Sequence, residues 1–447
     1  MEKVIVVGGG LAGALMGVYF GRRGFDVEVY ERRSDMRKNR MSAGKSINLA
    51  LSTRGLNALH KVGLEKAMLE HAIPMTGRMM HDIKGNQSYQ PYGKEGQYIN
   101  SVSRGLLNIL ILELADEHPN VSLFFDHKCT DVNLKENTCE FSLPDGSTKI
   151  VTADRIIGGD GAFSAIRNEM MRTERFDYSQ DYLAHGYKEL TIEPAQGEFT
   201  LQKNSLHIWP RGEYMLIALP NPDKTFTCTL FYPYEGPHSF DSIKTEQDLL
   251  NFFNEMFPDA VPLMPDLVKD FFENPTGSLV TVRCYPWVKG NFALIGDACH
   301  AVVPFYGQGM NCAFEDCVVL DECLEKYLPD WDKAFDEYQK LRKPNADAIA
   351  DLALQNFVEM RDLVGDKDFL HYKHIEHDLC ELYPDLFRSQ YELVSFTLEP
   401  YSYAKEQGAI NTALVNHLIA NNLEDKIADR AFMENFFKEF RNKEATA

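Results

Sequence analysis

Three glycines near the start of the chain have the spacing of a phosphate-binding turn. Gly8, Gly10 and Gly13 follow an apolar run at 4–7. Gly8 permits a sharp turn out of a strand, Gly10 lets a pyrophosphate approach the backbone, and Gly13 allows a helix to pack closely on that strand. The N-terminus of such a helix offers free N–H groups and a positive dipole end to phosphates. The spacing therefore predicts a dinucleotide-binding unit.

A carboxylate ends the second strand of this unit. Residues 27–30 alternate valine with polar or aromatic residues, and Glu31 follows directly. A carboxylate at this position accepts hydrogen bonds from a ribose diol and repels a 2′-phosphate. Glu31 therefore favours the ADP half of FAD or NAD over that of NADP as the ligand.

Two later turns place an aspartate after a buried strand. Asp160 follows the strand expected at 155–158, and Asp297 follows the strand expected at 292–296. Asp297 could bind a ribityl hydroxyl group, although both aspartates could also be ordinary helix caps. Three such turns in this order favour FAD as the ligand.

A glycine-rich segment behind Asp297 opens another helix. It contains Pro304, Gly307, Gly309, Met310 and Asn311. Backbone N–H groups at such a helix N-terminus would stabilise negative charge on a reduced flavin ring. The segment therefore predicts the isoalloxazine end of the FAD site.

The composition of the chain excludes several classes of protein. The chain has 447 residues and a net charge of −20, which disfavours nucleic acid and anionic membranes as partners. No segment is apolar enough for a transmembrane anchor. The nine cysteines lack a CxxC pair, which is typical of free thiols in a reducing cytoplasm. We expect a cytoplasmic protein of two or three domains and leave a homodimer open.

The order of helical and strand patterns predicts a mixed α/β (α+β) fold. A Rossmann-like FAD-binding domain would comprise residues 1–70, 100–180 and 276–330. Short strands separated by turn residues predict an inserted antiparallel-sheet substrate domain at 71–99 and 181–275. Helical periodicity continues through a C-terminal region at 331–447.

These turns resemble those of the single-component, class A flavoprotein monooxygenases, which are built like p-hydroxybenzoate hydroxylase. The resemblance covers the whole chain and is most specific for the branch that hydroxylates L-kynurenine. The matching segments are 46–51, 77–81, 90–93, 185–190, 206–210, 303–311 and 356–360.

The resemblance implies a set of site residues. Arg78 and Tyr92 would hold the substrate carboxylate, which suits a planar guanidinium fork and a neutral donor. The other implied substrate residues are Asn356, Tyr401, Phe231 and Phe305. The cofactor residues are Gly8, Gly10, Gly13, Glu31, Arg104, Asp160, Asp297, Pro304, Gly307, Gly309, Met310 and Asn311. Tyr306 stands where some relatives carry histidine.

Each assignment has a structural alternative. Arg78 could be a surface salt-bridge residue, and Asn356 could cap buried backbone groups. The aromatic residues at 231, 305 and 401 could belong to plain core. The segment 44–46 lacks the earlier glycine of a phosphate-binding P-loop. Two further groups of residues are expected to have ordinary structural roles. The histidines at 371, 374 and 377 would lie on a solvated helix face, and the cysteines at 299 and 312 would be small packing residues.

The chemistry implied by the resemblance is hydroxylation of L-kynurenine to 3-hydroxy-L-kynurenine. NADPH would reduce FAD, and O₂ would give a flavin C4a-hydroperoxide that the substrate ring attacks, so no side-chain nucleophile and no metal are expected. A second dinucleotide motif is absent from the sequence, so NADPH would bind transiently. Two other functions stay open: a class A monooxygenase for another substrate, and a non-catalytic FAD-fold binding protein such as a GDP dissociation inhibitor.

Overall fold

The computed structural model describes residues 1–38, 48–363 and 367–444. The strands, in chain order, are β1 (Lys3–Val7), β2 (Asp26–Tyr30), β3 (Asn48–Leu51), β4 (Ile73–Met75), β5 (Gly77–His81), β6 (Gln87–Pro91), β7 (Ile99–Ser103), β8 (Val121–Phe124), β9 (Lys128–Asn133), β10 (Thr138–Ser142), β11 (Thr148–Thr152), β12 (Arg155–Gly158), β13 (Asp177–Ile192), β14 (Ser205–Pro210), β15 (Met215–Pro220), β16 (Phe226–Pro233), β17 (Gly277–Tyr285), β18 (Val288–Lys289) and β19 (Phe292–Leu294).

Helices alternate with these strands and then dominate the C-terminal part. They are α1 (Leu11–Arg22), α2 (Thr53–Val62), α3 (Glu65–Leu69), α4 (Arg104–Asp116), α5 (Ala165–Met170), α6 (Glu246–Met256), α7 (Leu267–Glu273), α8 (Asp297–His300), α9 (Gly309–Tyr327), α10 (Trp331–Val358), α11 (Lys367–Leu382), α12 (Gln390–Phe396), α13 (Tyr401–Ala420) and α14 (Arg430–Glu444). Short 3₁₀ turns span Phe240–Ser242, Val261–Leu263, Pro304–Tyr306 and Glu424–Lys426, and a π-helical turn spans Glu359–Leu363.

The N-terminal unit folds as a parallel sheet around β1. The strand order is β18-β19-β12-β1-β2-β8, and β1 pairs in parallel with both β2 and β12. Four of the five residues of β1 are buried, as expected for a strand covered on both faces. Gly13 brings α1 onto β1, because a Cβ atom there would lie 1.9 Å from the Gly8 carbonyl oxygen.

A second, seven-stranded sheet has apolar layers on both faces. Its order is β17-β13-β16-β15-β14-β5-β6, and all neighbours are antiparallel except β14 and β5. Because side chains alternate along a strand, Trp209 and Tyr232 face α6 and α7, whereas Ile208 and Phe231 face α10. The sheet is therefore enclosed between two helical layers.

Two smaller sheets complete the strand pairing. One is a short meander with the order β11-β10-β9, which precedes β12, and the other has the order β3-β7-β4. Helices α11, α13 and α14 pack around a separate apolar cluster that includes Leu379, Leu414 and Phe437. None of the helices described is both long and apolar enough to cross a bilayer.

The fold class predicted from the sequence is confirmed: a nucleotide-binding parallel sheet, a second sheet and a helical C-terminal region are all present. The second sheet is larger than expected. It includes Asp177 at the start of β13 and the whole of Gly277–Tyr285, beyond the predicted limits of 181 and 275. The domain limits themselves stay a prediction.

The contact between α1 and β1 gives a stability test. Gly13→Ala should lower the melting temperature of the ligand-free protein, because the methyl group must displace α1 from the Gly8 carbonyl. Overpacking of this kind costs about 1–3 kcal/mol. Gly10→Ala is the matched control, since no atom lies within 4 Å of a Cβ atom there. Equal melting temperatures for the two variants would contradict this account of the contact.

Candidate active site

Glu31 lies at the carboxyl end of β2, beside the glycine turn. Its Oε2 atom accepts a hydrogen bond from the Gly9 N–H at 2.9 Å, and its Oε1 atom accepts from the Arg33 N–H and Nε at 2.9 and 2.8 Å. Burial alone would raise the pKa of Glu31, but Arg33 and Gly9 bring it below its usual value. Glu31 is therefore an ionised acceptor held next to the turn.

Two aspartates lie at the carboxyl ends of neighbouring strands. Asp160 follows β12, where Oδ2 accepts from the Ala165 N–H at 2.6 Å while Oδ1 is buried and has no partner in the described part of the chain. Asp297 follows β19, and its side chain is accessible to solvent. The pKa of its carboxyl is nevertheless raised by the surrounding protein. Burial raises the pKa of Asp160 in the same direction. Both carboxyls keep acceptor capacity for hydroxyl groups of a ligand.

The predicted cofactor residues fit a dinucleotide such as FAD. The open space at Gly10, the partnerless Asp160 oxygen and the accessible Asp297 are all near the ends of β1, β12 and β19. Arg104 is exposed at the first position of α4 and lowers the pKa of Asp297, so it faces the same region. These features describe a polar cleft with acceptors for ribose and ribityl hydroxyls.

The N-terminus of α9 forms the next part of this cleft. Gly307 has a φ of 67° and ends the short Pro304–Tyr306 turn, after which α9 begins at Gly309. The first N–H groups of a helix have no intrahelical partner, so those of Gly309 and Met310 can donate to a ligand. The Asn311 side chain instead ties α9 to β3, since its Nδ2 donates to the Ala50 carbonyl at 2.8 Å.

A buried ion network, which the sequence analysis missed, supports the turn at Gly296. The Asp316 carboxylate accepts from the Gly296 N–H at 2.9 Å, from His300 Nε2 at 2.5 Å and from Arg342 Nε at 2.7 Å. Although burial raises the pKa of Asp316, His300 and Arg342 bring it below its usual value. The sequence does not reveal this role of Asp316, because the residue lies within a helix, twenty residues after Gly296, whose N–H donates to it.

A cavity of about 1000 Å³ lies between the seven-stranded sheet and the C-terminal helices. Its walls come from β5, β6, the end of α10, and α11, α12 and α13. Three of the predicted substrate residues line it, namely Arg78, Tyr92 and Asn356, and so does Tyr306. The structure thus brings together residues that are far apart in the sequence.

Arg78 lies against a stack of tyrosine rings inside this cavity. The rings of Tyr92 and Tyr391 are 5.2 Å apart and nearly parallel, and Tyr306 stacks on Tyr391 at 5.5 Å. The Arg78 Cζ atom lies 5.1 Å from the Tyr391 centroid and 5.5 Å from that of Tyr92, within cation–π range. Tyr92, Tyr391 and Tyr306 are called the tyrosine stack below.

Arg78 forms no salt bridge with an acid in the described part of the chain, and its Nε is buried without a hydrogen bond there. Burial alone would lower the pKa of Arg78, but Tyr391, Tyr92 and the more distant Glu359 carboxylate raise it above the ordinary value, so the guanidinium stays charged. By contrast, Glu392 pairs with Lys94 at 3.3 Å, and Glu376 pairs with Lys373 at 3.1 Å. Arg78 is therefore available to a ligand anion.

Asn356 has both a structural contact and free capacity. Its Nδ2 donates to the Phe305 carbonyl at 2.6 Å, so the backbone-capping alternative applies to this half of the amide. The residue still lines the cavity, which leaves its side-chain oxygen for a ligand. The π-helical turn that follows α10 places Glu359 in the same wall.

Three predicted substrate residues do not line the cavity. Phe231 and Phe305 pack together at 4.8 Å in the apolar layer on this face of the sheet. Tyr401 is fully buried, and its hydroxyl donates to Gln308 Oε1 at 2.8 Å. Tyr391 instead occupies the position facing Arg78, which no motif in the sequence marked. Its place depends on how α12 packs, so nothing local predicts it.

The other sequence groups have ordinary partners. His371 pairs with Glu424 at 3.2 Å and His374 with Asp378 at 3.7 Å, as expected on a solvated face. Burial raises the pKa of the Cys299 thiol to about 11, which suits a packing residue. Cys299, His300 and Asp316 have ligand atoms close enough for a metal, but Arg342 and the Gly296 N–H already use the carboxylate. The segment 44–46 lies outside the described residues.

Comparison with known proteins places the fold and this site in one class. A family described as an FAD binding domain matches residues 1–353. In structure, the chain is similar to the tetrameric form of 2-methyl-3-hydroxypyridine-5-carboxylic acid oxygenase, with a TM-score of 0.68, 20% identity, and coverage of 83% of this chain and 95% of that one. The chain is an FAD-binding protein with the fold of the class A flavin monooxygenases.

Sequence relatives narrow the class. Kynurenine 3-monooxygenase of Myxococcus xanthus is 49% identical over 423 residues, which cover 93% of this chain and 90% of the relative. The enzyme of that name from Dictyostelium discoideum is 46% identical over 459 residues, 99% of each chain. The one from Sus scrofa is 42% identical, covering 92% of this chain and 88% of the relative. The chain belongs to the kynurenine 3-monooxygenase family.

The position of Glu31 gives a test of the cofactor cleft. Glu31→Lys should weaken FAD retention, because a cation replaces the acceptor for the ribose diol. The substitution also removes the hydrogen bond between the Glu31 carboxylate and the Gly9 N–H. The measurement is the ratio of flavin to protein absorbance after gel filtration. Glu31→Gln is the matched control, since it keeps an acceptor oxygen and should retain more flavin. Full flavin occupancy in Glu31→Lys would count against the assignment.

Proposed function

We propose that this protein hydroxylates L-kynurenine to 3-hydroxy-L-kynurenine, using FAD as cofactor and NADPH and O₂ as co-substrates. The observation that carries the proposal is the charged Arg78, which forms no salt bridge with the acids that the structure describes, in a cavity beside an FAD-type cleft. Kynurenine is an α-amino acid, so its carboxylate matches a planar guanidinium fork. The names of the curated relatives support the same substrate.

In this proposal Arg78 and the tyrosine stack hold the substrate by its carboxylate. Burial raises the pKa of Tyr92 and Tyr306 well above the usual value, so both hydroxyls stay protonated and can donate. A charge-assisted hydrogen bond from Arg78 contributes roughly 1.5–3 kcal/mol. The side-chain oxygen of Asn356 would accept from an amine of the substrate. Together these groups fix one end of the molecule and thereby orient its ring.

Bound FAD supplies hydride acceptance from NADPH and the activation of O₂. The chain itself orients the substrate ring, excludes water and stabilises charge. The first N–H groups of α9, at Gly309 and Met310, would stabilise negative charge at the flavin edge. The apolar layer of Phe231, Phe305 and Phe357 keeps water away from the reacting groups. The aromatic amine of the substrate activates its own ring, so no protein base is needed.

The remaining parts of the proposal concern the setting of the enzyme. All nine cysteines are free thiols, which supports a location in the reducing cytoplasm. NADPH would bind only transiently, because the sequence has no second dinucleotide-binding motif. Incubation with NADPH, O₂ and L-kynurenine, with identification of the product by mass, tests the reaction itself. A hydroxylated product from another aromatic substrate alone would identify a different monooxygenase.

Substrate should accelerate reduction of the flavin. If the cavity controls access of NADPH to FAD, stopped-flow reduction by NADPH should be at least about tenfold faster with L-kynurenine bound, a change of 1.4 kcal/mol in barrier. Anthranilate, which has an aromatic amine but lacks the α-amino-acid end, is the control ligand. Equal rates with and without L-kynurenine would refute this control of reduction.

The carboxylate contact can be tested by substitution. Arg78→Met should raise the KM for kynurenine at least about tenfold, since 1.4 kcal/mol is a factor of ten. It should also release more H₂O₂ per NADPH, because a loosely held ring is hydroxylated less often. Tyr92→Phe should do the same more weakly, since one neutral donor is lost. The measurement is NADPH oxidation beside product formation.

A decarboxylated analogue provides the control for both substitutions. It should be a poor substrate of the unaltered enzyme and should respond little to Arg78→Met or Tyr92→Phe. Unchanged kynurenine turnover and coupling in Arg78→Met would mean that Arg78 does not bind the carboxylate, and the substrate assignment would then lose its main support.

A further inference from the structure

Helix α2 is fixed to the flavin-facing end of α9. The Ser52 N–H donates to Asn311 Oδ1 at 3.0 Å, immediately before α2 begins. Gly55 allows the two helices to approach closely, because a Cβ atom there would lie 2.5 Å from the same Asn311 oxygen. The first turn of α2 therefore has a fixed position relative to the N-terminus of α9.

Arg54 extends from this fixed turn to the C-terminal helices. Its side chain is completely buried and its Nη1 pairs with Glu315 Oε1 of α9 at 2.6 Å. The other donors face α12 and the segment after it: Nε donates to the Val394 carbonyl of α12 at 3.2 Å, and Nη2 donates to the carbonyl of Glu399, between α12 and α13. The guanidinium carbon also lies 3.9 Å from the centre of the Tyr401 ring.

The opposite end of α12 forms part of the cavity wall. Tyr391 is in the first turn of this seven-residue helix, and Arg54 binds the Val394 carbonyl in its last turn. A cation at a helix C-terminus stabilises the helix through its unsatisfied carbonyls and its dipole. Arg54 thus acts on the same short helix that places Tyr391 beside Arg78.

We propose that Arg54 is a positioning residue for the substrate, which fixes Tyr391 and the tyrosine stack at a set distance from the flavin-facing N-terminus of α9. The inference rests on the proposed function, because it assigns the tyrosine stack to substrate binding. Glu315 shares this role through its ion pair, and Arg342 binds the second oxygen of the same carboxylate. Arg54 itself does not line the cavity, so any effect on substrate passes through α12.

The geometry requires arginine at this position. Its planar fork directs separate N–H groups at Glu315 and at two carbonyls, whereas lysine has one ammonium at the end of a flexible stem. Arg54→Lys keeps the charge and can keep the ion pair with Glu315. It loses the simultaneous contacts with the Val394 and Glu399 carbonyls, so it releases α12 without leaving Glu315 unpaired.

The matched control is Arg23→Lys. Arg23 also pairs with a carboxylate of α9, that of Asp321, and donates to the Asp321 carbonyl at 2.7 Å. It lies at the end of α1 and has no contact with α12. Both variants should retain FAD, as measured by flavin absorbance. Arg54→Lys should raise the Kd for L-kynurenine, followed by the change in the flavin spectrum, about fivefold and should increase H₂O₂ release, whereas Arg23→Lys should change neither.

A double-mutant cycle with Tyr391→Phe separates positioning from a general structural role. If Arg54 acts through Tyr391, Arg54→Lys should raise the Kd by less than about twofold when Tyr391 has already lost its hydroxyl. An unchanged Kd in Arg54→Lys, or the full increase repeated in the Tyr391→Phe background, would overturn the inference. Should Arg54→Lys fail to fold, Glu315→Gln takes its place in the same cycle, with the same deciding outcomes.

Assays of kynurenine binding and hydroxylation by the unaltered enzyme distinguish failure of this inference from failure of the proposed function. Absence of kynurenine binding and hydroxylation by that enzyme would overturn the proposed function itself. Normal kynurenine hydroxylation together with an unaffected Arg54→Lys variant would overturn only the role of Arg54.

Discussion

A close contact between three backbone segments organises the rest of the molecule. Gly8, Gly13 and Gly159 meet where β1, α1 and the end of β12 converge, and a Cβ atom on Gly8 or Gly13 would lie 2.3 or 1.9 Å from a carbonyl oxygen. This contact fixes β1 between β2 and β12, and β19 continues the sheet beyond β12. The carboxyl ends of parallel strands share one edge, so Glu31, Asp160 and Asp297 are brought to the same cleft although they are far apart in the chain.

Buried charged side chains occur in two kinds of surroundings, one in which they form ion pairs and one in which they do not. Asp316, His300 and Arg342 neutralise one another behind the turn at Gly296, where removal of a single partner would leave an uncompensated buried charge. The cavity is different, because Arg78 has aromatic neighbours and forms no salt bridge among the described residues, with Glu359 acting on it only from a longer distance. The first arrangement fixes a backbone turn, whereas the second leaves binding capacity for an anion. The two regions are connected by Glu315, which contacts both Arg342 and Arg54.

Local patterns were sufficient to predict the fold but only part of the site. The unit β1-α1-β2 followed from glycine spacing and valine alternation, both of which act within a few residues. Arg78, Tyr92 and Asn356 meet in one cavity, but the assignment of their roles stays a prediction. The sequence analysis named neither Tyr391 nor Arg54, because their contacts arise from tertiary packing: α12 is short and has no motif, and Arg54 contacts it from α2. The assignment of Tyr401 to the substrate stays a prediction, although its hydroxyl donates to Gln308 and the residue does not line the cavity.

The guanidinium of Arg78 also links ligand recognition to the stability of the whole fold. A buried cation that forms no salt bridge among the described residues makes the ligand-free protein less stable than its apolar contacts alone would allow. The side chain is already restrained by the tyrosine stack, so little conformational entropy remains to be lost when an anion arrives. A ligand that binds only the folded state stabilises it in proportion to the logarithm of its concentration over Kd. If the cavity binds its substrate by the carboxylate, as proposed, that ligand also stabilises the fold, and the resistance of the enzyme to unfolding then follows the supply of substrate.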